Sequence, residues 1–96
     1  MQDLLPIAAR IGDRLKARGE TISVAESSIG GLVSASLLAV PGASAYSVGG
    51  AVVYTRAAGD ALLRIPAEAR VGLRASTEPY AMLMARTIRE RLGTTW

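Results

Sequence analysis

Two adjacent serines, Ser27 and Ser28, stand between a short alternating segment and a glycine pair, Gly30 and Gly31. A serine hydroxyl becomes a nucleophile when a base takes its proton and N–H donors hold the oxyanion it creates. The same residues at a helix start can instead cradle an anion on backbone N–H groups. Both chemistries use Glu26–Gly31, which we read as the site, with the N–H groups of Ile29, Gly30 and Gly31 pointing outward. Cysteine and histidine are absent, which excludes a thiol nucleophile, a Ser-His-Asp triad and zinc held by thiolate or imidazole. The base for Ser27 must then be Lys, Tyr, Asp or Glu. Glu26 is adjacent in sequence, yet neighbouring residues of a strand face opposite sides. A plainer use stays open: either serine can N-cap the next helix while the glycines permit close packing. Neither a Walker pattern nor GxGxxG is present, so the phosphate reading rests on the helix start alone.

Tyr54 and Thr55 close the strongest β segment of the chain, Ala51–Thr55, and stand beside the serine loop if the two strands are neighbours. Tyr54 suits either a core aromatic or a hydroxyl that touches a ligand. Arg56 could face a phosphate, although a strand end open to solvent is the simpler place for it. Asp60 fits the first turn of a short helix better than an acid catalyst.

The elements that must hold these residues read in order. Asp3–Arg18 is an amphipathic helix with Leu4, Ala8, Ile11 and Leu15 on one stripe, and Gly19 ends it. Thr21–Ala25 alternates as a strand, and about Gly30–Ala39 forms a helix with a small face that lets it lie tight on a sheet. Ala43–Val48 reads as a loop, Ala51–Thr55 as an interior strand, and Arg56–Arg64 as a short helix. Ser76 or Thr77 caps a last helix whose buried stripe is Tyr80, Met84, Ile88 and Leu92, with Arg86 and Glu90 as an i, i+4 pair. Thr94–Trp96 looks like the first residues of another strand. The order is α/β, a small mainly parallel sheet flanked by helices on both faces and incomplete at its C-terminus.

Composition sets the limits. Ninety-six residues make one small domain, residues 1–96, which buries only about 60–65% of its unfolded surface. Half of the residues are hydrophobic, but Phe is absent and Ala, Leu and Val dominate. The longest apolar stretch, Ile29–Val40, falls short of the roughly 20 residues a membrane span needs, so a soluble, cytoplasmic chain with no membrane partner is expected. A net charge of +3 gathers on helices without stacking aromatics beside it, so solvated faces rather than nucleic-acid contacts are expected.

The stretches VAESSIGG, VPGASAYSVGGAVVYT, the Ser-Thr-Glu helix start and RERLG resemble, in that order, the C-terminal domain of the competence-damage protein CinA. The resemblance runs from about Leu4 to Trp96 and covers the first two-thirds of that domain. That family includes nicotinamide mononucleotide deamidases, so the resemblance implies hydrolysis of a pyridine-nucleotide carboxamide to the acid and ammonia. It implies Ser27 as nucleophile and Tyr54 as the supporting strand tyrosine. Glu26, Ser28, Ile29, Gly30, Gly31, Thr55 and Arg56 would line the substrate site, with no metal or cofactor. It also implies a lysine where this chain has Gly59; the sole lysine is Lys16. A catalytically silent nucleotide- or anion-binding module of the same family is the alternative that Gly59 suggests. The expected partners are a small nucleotide and either a second copy or the C-terminal part of the domain.

Overall fold

The computed structural model describes residues Met1–Trp96. A 3₁₀ turn, Gln2–Leu4, leads into α1, Leu5–Arg18, with Pro6 in the first turn where its missing N–H costs nothing. Strand β1, Ile22–Glu26, is followed by α2, Leu32–Leu38, a 3₁₀ turn at Ala43–Ala45, and strand β2, Ser47–Val52. A single turn α3, Arg56–Ala58, passes into a π-turn, Gly59–Leu63; a 3₁₀ turn, Ala67–Arg70, and the long helix α4, Glu78–Leu92, complete the chain.

β1 and β2 pair in parallel, with Glu26 opposite Val52 at their carboxyl ends and an irregularity between Ile22 and Ser23. The other edge of β1 is taken by the residues after α4. Trp96 donates its N–H to Thr21 O and accepts from Ser23 N, both at 3.0 Å, the pattern of a parallel neighbour. Thr94 and Ser23 add a buried hydroxyl pair at 2.7 Å. Thr94–Trp96 thus lies along β1, bonded to it in the manner of a parallel neighbour.

Two cores lie on opposite faces of this narrow sheet. Ala8, Leu15, Leu37, Ala43 and Tyr46 pack under α1 and α2, while Val53, Leu63, Ile65, Met84 and Ile88 pack under α4 and the α3 region. The anchor of the first core is Tyr46, fully buried, whose hydroxyl donates to Leu37 O at 2.6 Å. Gly12 makes room for its ring: a Cβ there would sit 3.0 Å from three ring-end atoms. That displaces the expected α1 stripe, since Gly12 is buried where Ile11 remains 38% exposed.

The second strand lies earlier than the expected Ala51–Thr55 and includes Gly49 and Gly50. A Cβ on Gly50 would lie 2.7 Å from Ser34 Oγ and 2.9 Å from Val24 O, so the bare backbone lets α2 settle onto the sheet. β2 is an edge strand rather than an interior one, and Tyr54 lies beyond its end. In α4, Leu92 is exposed, and Arg86 and Glu90 form no ion pair; the ion pairs are Arg18–Glu20 and Arg70–Asp60.

Candidate functional site

The chain leaves β1 at Glu26 and β2 at Val52 side by side, and Val53 N–H donates to Glu26 O at 2.7 Å. The two segments that follow therefore start from neighbouring carboxyl ends of parallel strands, where α/β folds place ligands. Helix α4 runs antiparallel to the strands, because it returns the chain to the start of β1, so its N-terminus arrives at the same end. Between these three pieces lies a hollow of about 860 Å³.

Ser27, Ser28, Tyr54, Thr55 and Arg56 line the hollow. Tyr54 is 73% exposed, which rules out the core role; Tyr46 fills that role instead. Thr55 is the N-cap of α3, its Oγ1 accepting from Ala58 N at 3.1 Å, so its hydroxyl is partly committed to the backbone. Arg56 is exposed and unpaired, a positive charge at the rim.

Glu26, Ile29, Gly30 and Gly31 do not line it. Glu26 is 5% exposed and turns under α2, where its two oxygens accept from Val33 N and Ser34 N, each at 2.9 Å. Burial works to raise its pKa. Hydrogen bonds from the Ser34 hydroxyl and from the amides of Ser34, Val33 and Gly31 outweigh burial and hold the carboxyl below its ordinary 4.5. Glu26 thus caps α2 from the preceding strand, and neither serine is its cap. The negative charge a helix start attracts is already supplied by the protein. Gly30 (φ 72°) and Gly31 (φ 99°) make the tight left-handed turn that brings the helix back over Glu26. Gly30 N–H donates to Ser27 O at 3.0 Å, while the amides of Ser27, Ser28 and Ile29 have no acceptor within the protein.

The opposite wall is one that sequence reasoning did not assign: Ser76, Thr77, Glu78, Tyr80 and Ala81 at the start of α4. Ser76 adopts φ 59°, and Thr77 Oγ1 donates back to Arg74 O rather than capping the helix. Lys16 stands on the other face of the sheet, its Nζ donating to Pro41 O at 3.0 Å and lying 5.9 Å from the Tyr46 ring centre. It supplies nothing to Ser27.

Comparison with known proteins places this geometry. The family model of the CinA C-terminal domain matches residues 4–96. The chain belongs to that family. It is 45% identical over 82 residues to a CinA-like protein of Parasynechococcus marenigrum (strain WH8102), covering 85% of this chain and 20% of that protein. A putative competence-damage inducible protein of Desulforamulus reducens is 42% identical over 84 residues, again with 88% of this chain and 20% of the relative covered. Among solved structures, the competence/damage inducible protein CihA from Agrobacterium tumefaciens superposes with a TM-score of 0.85 at 30% identity, over 96% of this chain and 56% of that one. The competence damage-inducible protein A from Klebsiella pneumoniae gives 0.84 at 28%, over 93% and 55%. This CinA-type chain therefore spans a fifth of the length of the curated relatives it matches and rather more than half of the solved ones.

Proposed function

We propose that the hollow takes a pyridine nucleotide and that Ser27 opens its carboxamide. The observation that carries this reading is the hollow itself, with the Ser27–Ser28 pair on one side and Tyr54 and Arg56 on another. Membership of the CinA family supports the fold and the general role. In the reaction, Ser27 Oγ attacks the carboxamide carbon, and the amide of Ser28, a residue that lines the hollow, is the donor offered to the oxygen that gains charge. The C–N bond then breaks, ammonia leaves with the serine's proton, and water releases the acid from Ser27. Arg56 suits the nucleotide phosphate by charge.

One observation favours a second reading, in which the hollow binds the nucleotide without chemistry. No lysine reaches it, since Gly59 occupies one position and Lys16 is tied to Pro41. The two readings separate on ammonia release from nicotinamide mononucleotide by the full-length protein. The first expects release that falls at least about a hundredfold in Ser27→Ala. Binding without release establishes the second, and neither binding nor release removes both.

A further inference from the structure

Strand β2 has β1 on one side and nothing on the other. Its pairing with β1 runs in step from Gly49 to Val52, the irregularity lying before that stretch. Val53 N–H donates to Glu26 O, so the alternation of the ladder turns the N–H and C=O of Gly50 and Val52 outward, where no strand meets them. Bare edges are ordinarily blunted by lysine, proline or an inward-pointing charge. Ser47–Val52 has none of these.

The flank of this edge is apolar and partly uncovered. Val48 and Val52 are 52% and 45% exposed, on the face where α2 rests on Gly50 through Ser34. Leu38, one turn beyond Ser34 on the same side of α2, is 60% exposed.

Three features favour a second copy of this chain as the cover. The strand is uncharged in a chain of net charge +3, so two copies meet there without opposing like charges. The accessible area, 6275 Å², exceeds that of a folded monomer of 10.0 kDa by roughly 1,000 Å², and a standard interface buries about 800 Å² per partner. The strand is also its own complement. Turned antiparallel about a two-fold axis at Gly50, it sets glycine against glycine and Val48 against the partner's Val52. The outward backbone groups then face one another, and each valine meets a valine on the same face of the sheet.

We propose that β2 pairs with β2 of a second copy, antiparallel and centred on Gly50, so that the chain is a dimer joined through one continuous sheet. The two hollows, each at the carboxyl end of its own β2, then open at opposite ends of that sheet.

The test follows the mass of the full-length protein by sedimentation equilibrium over a roughly hundredfold range of concentration, in which the wild type is expected to pass from monomer to dimer. Val48→Lys with Val52→Lys opposes like charges at both valine pairs, whereas Val48→Lys with Val52→Glu opposes unlike ones. Both remove the same two side chains, so their difference reads the register. The second double variant is expected to dimerise at least about tenfold more tightly than the first. Amide exchange needs no variant: in the wild type the Gly50 and Val52 amides should slow with rising concentration more than that of Ala51, which faces β1. A dimer undiminished by Val48→Lys with Val52→Lys, or Gly50 and Val52 amides indifferent to concentration, overturns the edge contact. Equal affinities of the two double variants overturn the register. A wild type monomeric throughout overturns the proposal, and it does so in favour of the part of its relatives that it does not span if supplying that part slows the same amides.

Discussion

At the residue scale, Glu26 decides what the serine loop can be. Its buried carboxylate satisfies the amides of Val33 and Ser34, so α2 is held from below and its start does not compete for a ligand. Glu26→Ala is expected to destabilise the fold by about 1–3 kcal/mol, as loss of a charged cap and exposure of orphaned donors require. The pH dependence follows from the depressed pKa. A carboxyl whose folded-state pKa lies below its ordinary 4.5 stabilises fully above that value, and the contribution fades as pH falls through the folded-state pKa. Urea midpoints at pH 7 and pH 3 check both statements. The wild type should lose more stability across that interval than Glu26→Gln, and equal losses would contradict the cap.

Tyrosine placement belongs to the same scale. Tyr46→Phe removes the hydroxyl that donates to Leu37 O and should cost about 1 kcal/mol in the first core. Tyr54→Phe, at an exposed position beyond the strand, should leave stability within about 0.5 kcal/mol. Parallel chemical denaturation of the two variants tests the assignment.

At the scale of elements, α2 lies close to the sheet because Gly50 has no side chain. Gly50→Ala forces a methyl group against Ser34 Oγ and the Val24 carbonyl, and is expected to cost about 1–3 kcal/mol, read as a lowered thermal midpoint. The double variant Gly50→Ala, Ser34→Gly should recover only part of the loss, since the Val24 contact remains and glycine weakens α2. This element was also the hardest to read in advance. A Gly-Gly pair before Ala-Val-Val looks like a turn followed by a strand, and only the helix packed across it shows why glycine belongs inside the strand. The loop Ser27–Gly31, by contrast, was legible as the link between strand and helix at the carboxyl end of β1. Its position follows from local chemistry that does not depend on distant partners. The α4 wall was not legible, because which residues of a helix start face a hollow is fixed by the angle at which the helix returns. Gly12 and Ile11 show the same limit: the apolar stripe of α1 bends toward the glycine that admits the Tyr46 ring.

At the scale of the molecule, the chain carries more surface than its mass calls for. Its accessible area is 6275 Å² at 10.0 kDa, against about 5,200 Å² for a folded monomer of that size. A pair of strands with three further residues on one edge is a narrow base for two cores. The chain is accordingly expected to gain stability by association, with a second copy or with the part of its relatives that it does not span. For a self-associating chain the thermal midpoint should rise over a roughly hundredfold range of protein concentration, and for the second case it should rise only when that part is supplied. A midpoint that moves in neither experiment would contradict the expectation.

The seam along β1 carries a consequence of its own. Trp96 is the single tryptophan, its main chain bonded to Thr21 and Ser23 and its indole N–H donating to Glu20 Oε1 at 3.2 Å. Its emission is thus a built-in optical gauge of whether that edge is closed. Light collected from one ring reports the zipping and fraying of the strand that leads to the serine loop, before either core has come apart.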